Sequence, residues 1–232
     1  MQKGCLDLNN GSVEGVILSS IPFLDKGKIL TVFSNSLGLV RFIIKGLCSK
    51  KSHILTWIEP FSQVEMCYQK HRSDLLKLTD IHPIDTHLDL RKRLSSLNAA
   101  SQICKSLLHS QLPEKPSPPL YSLLTLYLKQ IPLFEDPSSL VLSFYLKLLK
   151  QEGLIHLTEN CSACTEAKAS FLHMGEGFCK THRPLPAQYF SEEHWKMLMT
   201  LLHAQNFAAL KGVLPSALLM EQIQEYFREQ LR

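Results

Sequence analysis

Cys161, Cys164, Cys179 and His182 are the residues in this chain best spaced to do chemistry together. The stretch reads Cys161-Ser-Ala-Cys164, then fourteen residues, then Cys179-Lys-Thr-His182. Two short pairs joined by a connector of this length can bring three thiolates and an imidazole round one ion. Zn²⁺ takes four such N/S ligands as a tetrahedron, and a structural site leaves no position open for water. Gly175 and Gly177, just before the second pair, suit the tight turn that would present Cys179 and His182. A module over residues 158–186 is too short to fold by burial alone, so the ion has to hold it. Structural zinc supplies roughly 10–16 kcal/mol of folding free energy in isolated fingers. His173, mid-connector, is a spare ligand candidate and is expected to be a bystander.

A catalytic use of the same ion is disfavoured by what is missing. No His-x-Glu or His-Glu-x-x-His occurs, and Asn160 rather than proline precedes Cys161. No glycine-rich phosphate loop, paired-carboxylate arrangement or cysteine-nucleophile signature stands out, and Cys48 and Cys67 read as packing or loop residues. No catalytic residue is therefore assigned.

Two regions must position the metal residues and whatever else is functional. Val13–Ser20, Lys28–Ser34, Leu39–Gly46, Phe61–Tyr68 and Leu75–Pro83 read as five short strands, with turn residues at Asp25-Lys-Gly27 and Asn35-Ser-Leu-Gly38. In the third, Val40, Phe42 and Ile44 share one face, while Leu39, Arg41, Ile43 and Lys45 share the other. Five such strands suit an OB-fold barrel, and an SH3-like barrel fits nearly as well. From Pro83 the period lengthens to about 3.6. A helix is expected from Thr86 and Asp89 along the stripe Leu88, Leu90, Leu94, Leu97, Ile103 and Leu107. Residues 112–119, rich in proline, read as a stiff connector with helix resuming near Tyr121. Asp136-Pro137 restarts helix to about Gln151, and Gly153 stops it. Ser191 is expected to cap a helix with Trp195, Leu198, Met199 and Leu202. A last helix carries Leu219, Ile223, Phe227 and Leu231. The fold class is α+β: an OB-fold barrel over residues 1–82, then a helical domain over 83–232 with the metal module embedded.

The net charge is +4 over 232 residues. Residues 1–83 hold ten Lys and Arg against seven Asp and Glu, a surplus of three that draws any polyanion first to the barrel. Lys26, Lys28, Arg41, Lys45, Lys50 and Lys51 form the candidate nucleic-acid-binding set, with Phe33, Phe42, Trp57 and Tyr68 as aromatics able to stack on bases. Arg91-Lys-Arg93 reads as a solvated helix face. The first residues lack the apolar stretch of a signal peptide, and no run is long enough to span a membrane. Seven cysteines, with Cys5, Cys48 and Cys104 far apart and in no pairing rhythm, fit a reducing cytoplasm better than a disulfide framework.

Several stretches in order resemble the bacterial RecO family of DNA repair and recombination proteins. They are Glu14-Gly-Val-Ile-Leu18, Lys28-Ile-Leu-Thr-Val-Phe-Ser34 with Leu37-Gly38, Ile44-Lys-Gly46 with Lys50-Lys-Ser52, and Ile58-Glu-Pro-Phe61. Leu146–Gly153 leading into Cys161-x2-Cys164 and Gly175-Glu-Gly-Phe-Cys179 completes the set. The resemblance implies a non-enzymatic mediator that binds single- and double-stranded DNA, anneals strands and works with RecR. It further implies loading of RecA onto strands covered by single-strand-binding protein, whose acidic C-terminal tail such proteins contact. A bacterial, nucleoid-associated cytoplasmic location goes with that. Three positions depart from the family pattern: Leu47-Cys48-Ser49 where an arginine-rich cluster is common, His182 where cysteine is frequent, and Thr165 where glycine is usual. Lysine lacks arginine's planar fork, so phosphate contacts here should be looser. The alternative reading is a zinc-stapled interaction scaffold that binds an acidic peptide and no DNA. A zinc hydrolase acting on nucleic acid is a third, and would need an open coordination position with a base beside it.

Overall fold

The computed structural model describes residues 10–24, 27–45, 52–70 and 75–231. Its first part is a closed five-stranded barrel: β1 (Asn10–Phe23), β2 (Gly27–Ser34), β3 (Gly38–Ile44), β4 (Gln63–Gln69) and β5 (Leu75–Asp85). The strand order is β1-β2-β3-β5-β4, with β4 closing back onto β1. All pairings are antiparallel except β3 with β5, the pattern of an OB-type barrel. A register shift between Ile17 and Ser19 lets β1 bend, so that its first half pairs with β4 and its second half with β2. Val13, Ile17, Leu30, Val32, Val40, Phe42, Ile44, Val64, Met66, Tyr68 and Ile81 fill the interior. Period-two alternation puts them there, and a one-residue slip would expose the set.

The helix α1 (Ser52–Trp57) stands between β3 and β4 and was not foreseen. Ile54 and Trp57 pack against the barrel core, and Ile58 is fully buried in it, so the segment serves as a plug. Phe33, Phe42 and Tyr68 are buried too. The expectation that they could stack on bases is therefore corrected: alternation turns Phe42 and Tyr68 into the barrel, and Phe33, on the other face of its strand, is covered by Tyr121.

The helix expected from Thr86 is broken. His87 adopts a left-handed backbone (φ 47°), Leu88–Lys92 form a 3₁₀ turn, and extended Arg93 precedes α2 (Leu94–Ser110). Leu88 and Leu94 are exposed, whereas Leu90, Ile103 and Leu107 of the same stripe are fully buried. Helix α3 (Pro118–Gln130) begins inside the proline-rich stretch, because proline is tolerated in the first helical turn, where its missing N–H costs nothing. Arg91-Lys-Arg93 is occupied locally. Arg91 donates to the Pro60 carbonyl and lies over the Phe61 ring, Lys92 pairs with Asp89, and Arg93 donates to the Pro132 carbonyl.

The chain divides into two compact units, Met1–Pro132 and Leu133–Arg232. In the first, the proline-rich connector adds to the barrel: Leu39 bridges Pro113 in parallel, and the Glu114 N–H donates to the Leu39 carbonyl at 3.1 Å.

The second unit centres on α4 (Ser138–Gln151), with α5 (Glu192–His203), α6 (Ala208–Lys211) and α7 (Ala217–Gln230) round it. Asp136 accepts from the Ser138 N–H at the start of α4, and Gly153 ends it at φ 74°. Ser139, Ser143 and Lys147, four residues apart on one face of α4, donate to the carbonyls of Leu210, Leu201 and Ala204. These carbonyls lie in or just beyond the last turns of α5 and α6. Tyr145 stacks on Phe227 of α7 at 4.3 Å between centroids. Strands β6 (Phe171–His173), β7 (Glu176–Phe178) and β8 (Gln188–Tyr189) make a small sheet between α4 and α5 in sequence. Among the described residues no helix is long and apolar enough to cross a membrane.

Candidate metal centre and nucleic-acid interface

The metal module is assembled by two turns. In the first, the Cys161 N–H donates to the Ala167 carbonyl, and the Thr165 N–H donates back to the Cys161 carbonyl at 2.8 Å. Thr165 takes a left-handed backbone, φ 59°, at the position where glycine would be at ease. In the second, β6 and β7 form a hairpin whose two loop residues, Met174 and Gly175, both have positive φ, 46° and 84°. A two-residue loop of that kind matches the twist of its strands and delivers Cys179 at the hairpin's exit. The Ser162 N–H donates to the Gly177 carbonyl at 2.8 Å and ties the two turns together. Trp195 of α5 seats the module: its Nε1–H donates to the Thr158 carbonyl, and its ring lies so close that a Cβ on Gly177 would stand 2.7 Å from it.

The sequence-predicted set meets in space. One donor atom each from Cys161, Cys164, Cys179 and His182 lie within 4.8 Å of one another. His182 Nδ1 stands 3.4 Å from Cys179 Sγ and 3.9 Å from Cys161 Sγ. A tetrahedral ion with bonds of about 2.3 Å to sulfur and about 2.0 Å to nitrogen spaces those atoms by roughly 3.6 Å. The donor set and its spacing therefore fit a bound metal. His173 is apart from the cluster, its Nδ1 engaged with the Pro186 carbonyl.

Electrostatics favour the ligand forms of two thiols. Burial pushes the Cys161 thiol up, but the amides of Cys179, Cys164 and Ala163 outweigh it and hold the thiol at about 6. Cys179 is likewise lowered, against its own desolvation, by the amides of His182 and Thr181 and by the His182 ring. The same contacts to Cys179 and Cys161 raise the His182 imidazole, so thiolate and imidazolium stabilise one another. A metal ion would take the place of that shared proton.

The second candidate site is the outer face of the barrel. Arg41 and Lys45 on and just past β3 are exposed, while the alternate residues Val40, Phe42 and Ile44 fill the core. Lys28 is partly buried and ion-paired with Glu59 at 2.9 Å. Lys26, Lys50 and Lys51 lie outside the described residues. A further cation was missed. Lys77 of β5 is exposed and pairs in register with Ile43, between Arg41 and Lys45. Nothing local in the sequence links Lys77 to β3; only barrel closure through the parallel β3–β5 pairing does so.

Two family descriptions match the chain: "Recombination protein O N terminal" over residues 10–87 and "Recombination protein O C terminal" over residues 91–231. The chain is 30% identical over 203 residues to a DNA repair protein RecO of Chlamydia pneumoniae, covering 87% of this chain and 80% of that one. A DNA repair protein RecO of Syntrophotalea carbinolica is 26% identical over 178 residues, covering 74% and 69%. Among solved structures, an Entamoeba histolytica asparaginyl-tRNA synthetase aligns with 82% of this chain and 42% of that chain at 10% identity and a TM-score of 0.29, a likeness that carries no argument. The barrel and the helical region each match one half of the same family, and the chain belongs to the RecO family of DNA repair and recombination proteins, which are mediators rather than enzymes.

Proposed function

We propose that this chain binds single- and double-stranded DNA through its barrel, anneals complementary strands, and acts with RecR to load RecA onto strands covered by single-strand-binding protein, whose acidic tail it contacts. Family membership supports the repair role. The observation that carries the DNA reading is the row of exposed cations, Arg41 and Lys45 with Lys77 beside them, on the outer side of strands whose inner side is core. Lys26, Lys28, Lys50 and Lys51 complete the assigned set. Each cation that meets a phosphate releases a counterion, so affinity falls with salt and base identity matters little. No bond is made or broken; the barrel, residues 1–82, holds strands while the body, residues 83–232, offers docking surfaces. Cys161, Cys164, Cys179 and His182 hold a structural Zn²⁺, the choice that three thiolates and an imidazole favour. The protein works in the bacterial cytoplasm at the nucleoid.

One observation favours a second reading. With Phe33, Phe42 and Tyr68 buried, the barrel offers cations without those rings for stacking, which also suits an acidic peptide. Fluorescence anisotropy with labelled single-stranded DNA at two salt concentrations, with and without chelator, tests the first reading. Replacing Arg41, Lys45 and Lys77 by alanine should weaken binding and flatten the logarithmic salt slope by about 0.7 per lost contact. An unchanged slope overturns the assignment, and tight binding of an acidic peptide with none of DNA favours the scaffold.

A further inference from the structure

We propose that the metal module carries a second contact for an unpaired polynucleotide strand, built on Tyr189, Phe171 and Arg183. The inference rests on the DNA-binding reading above and adds to it a surface far along the chain from the barrel strands.

Phe171 and Tyr189 are cross-strand partners on β6 and β8, with ring centroids 5.3 Å apart. The Arg183 guanidinium lies 4.8 Å from the centroid of the Phe171 ring. Phe171 is only 7% exposed, whereas Tyr189 is 58% exposed. A buried ring thus has both a guanidinium and an open phenol as neighbours. Tyr189 is held in place at its backbone, where its carbonyl accepts from Gln222 Nε2 at 2.9 Å. A fixed, accessible aromatic face loses little freedom when a base stacks on it, and every base has such a face. An arginine held over an aromatic ring adds charge for the flanking phosphate.

The loop carrying Lys180 and Arg183 is cationic, and the groove beside Tyr189 balances two lysines against two glutamates. Residues 177–191 contain no Asp or Glu. Lys180 and Arg183 are exposed, and among the described residues neither has a carboxylate within ion-pair distance. Beside Tyr189 opens a groove of about 760 Å³ with Trp195 and Met199 in its lining and Lys168 and Lys196 among its charged residues. The carboxylate of Glu192 in that groove is engaged by Lys196 at 3.0 Å and approached by Lys168 at 4.0 Å, which mutes its repulsion; Glu159 is the remaining acid there. A duplex keeps its bases stacked on one another, so this platform selects single strands.

The test uses the full chain with a bromodeoxyuridine-substituted single-stranded oligonucleotide, ultraviolet crosslinking and peptide mapping, alongside anisotropy titrations. The strand should crosslink at Tyr189. Tyr189→Ala and Arg183→Gln should each weaken single-strand binding roughly 5- to 150-fold, the range set by loss of one stacked base. Tyr189→Phe should bind as wild type, duplex affinity should stay nearly level, and metal content should stay at the wild-type level in all three, which excludes unfolding. Wild-type affinity in Tyr189→Ala, with crosslinks confined to the barrel, overturns the inference while leaving the barrel reading intact. An unchanged salt slope in the Arg41, Lys45 and Lys77 variant, with Tyr189 still crosslinked, does the reverse. Crosslinking of an aromatic acidic peptide at Tyr189 in place of the oligonucleotide assigns the surface to a protein partner and also overturns it.

Discussion

The Tyr121 hydroxyl of α3 donates to Glu14 Oε1 of β1 at 2.9 Å, and Gln63 Nε2 of β4 donates to the same oxygen at 2.7 Å. Burial raises the Tyr121 phenol above its ordinary value, and the bond to Glu14 raises it further, so it stays a donor at any working pH. Tyr121→Phe should therefore cost about 1–3 kcal/mol, because it leaves a partly buried charge with one donor fewer. Urea unfolding of the variant against wild type measures this. Equal midpoints would show that the pair contributes nothing.

Metal loading should be visible in one indole. The chain has two tryptophans, and Trp195 is the one packed on the module. In a Trp57→Phe background, a zinc chelator should shift Trp195 emission to the red, and added Zn²⁺ should restore it. Cys179→Ser should show the shifted spectrum from the start.

Thr165 holds a β-branched side chain in the left-handed region at φ 59°. Its hydroxyl recovers little, since its bond to the Cys164 carbonyl is exposed. Thr165→Gly should raise the stability of the metal-loaded protein by about 1 kcal/mol, seen as a higher melting temperature. A lower one would mean that the turn bears threonine without strain.

His87 should make stability depend on acid. Burial lowers its imidazole below the ordinary value; nearby Asp85 opposes this, and Lys129 adds to it. Its Nδ1 lies 3.2 Å from Asp85 Oδ1, and its Nε2 finds no partner among the described residues. The native state thus prefers neutral imidazole. Below about pH 6.5 the unfolded chain binds the extra proton first, so stability is full above that pH and falls as pH drops. The loss should be at most about 1.4 kcal/mol per pH unit for one proton, and His87→Gln should remove that part of the slope. Unfolding free energies of both proteins between pH 5 and 7.5 provide the comparison.

Glu59 holds Lys28 at 2.9 Å, and under the DNA-binding role proposed above it would compete with a phosphate for that cation. Glu59→Gln should release that cation and tighten single-strand binding on the order of twofold to fivefold at low salt, with a steeper salt slope. No change would place Lys28 outside the DNA surface.

What the sequence disclosed and what it hid follow one division. Strand positions were legible because alternation is local: Val40, Phe42 and Ile44 share one face as read, and that face is the inner one. The Cys161, Cys164, Cys179 and His182 set was legible because ligand spacing is local, with two pairs and a short hairpin between. Lys77 was hidden because its nearness to Arg41 is a matter of register between strands some thirty residues apart. Phe33 and Tyr68 were misjudged because an aromatic in a strand reads alike whether it faces water or core. The plug helix α1 was missed because its six residues are too few to show a period.

The bridge from Leu39 to Pro113 and Glu114 sets an order of events during synthesis. The Leu39 carbonyl has to wait about seventy-five residues for the Glu114 amide, and Glu14 waits longer still for the Tyr121 phenol. At about 5–20 residues per second, those partners leave the ribosome several seconds after the strands they complete. A nascent barrel therefore passes through an interval in which the Leu39 carbonyl and the Glu14 carboxylate still lack these partners.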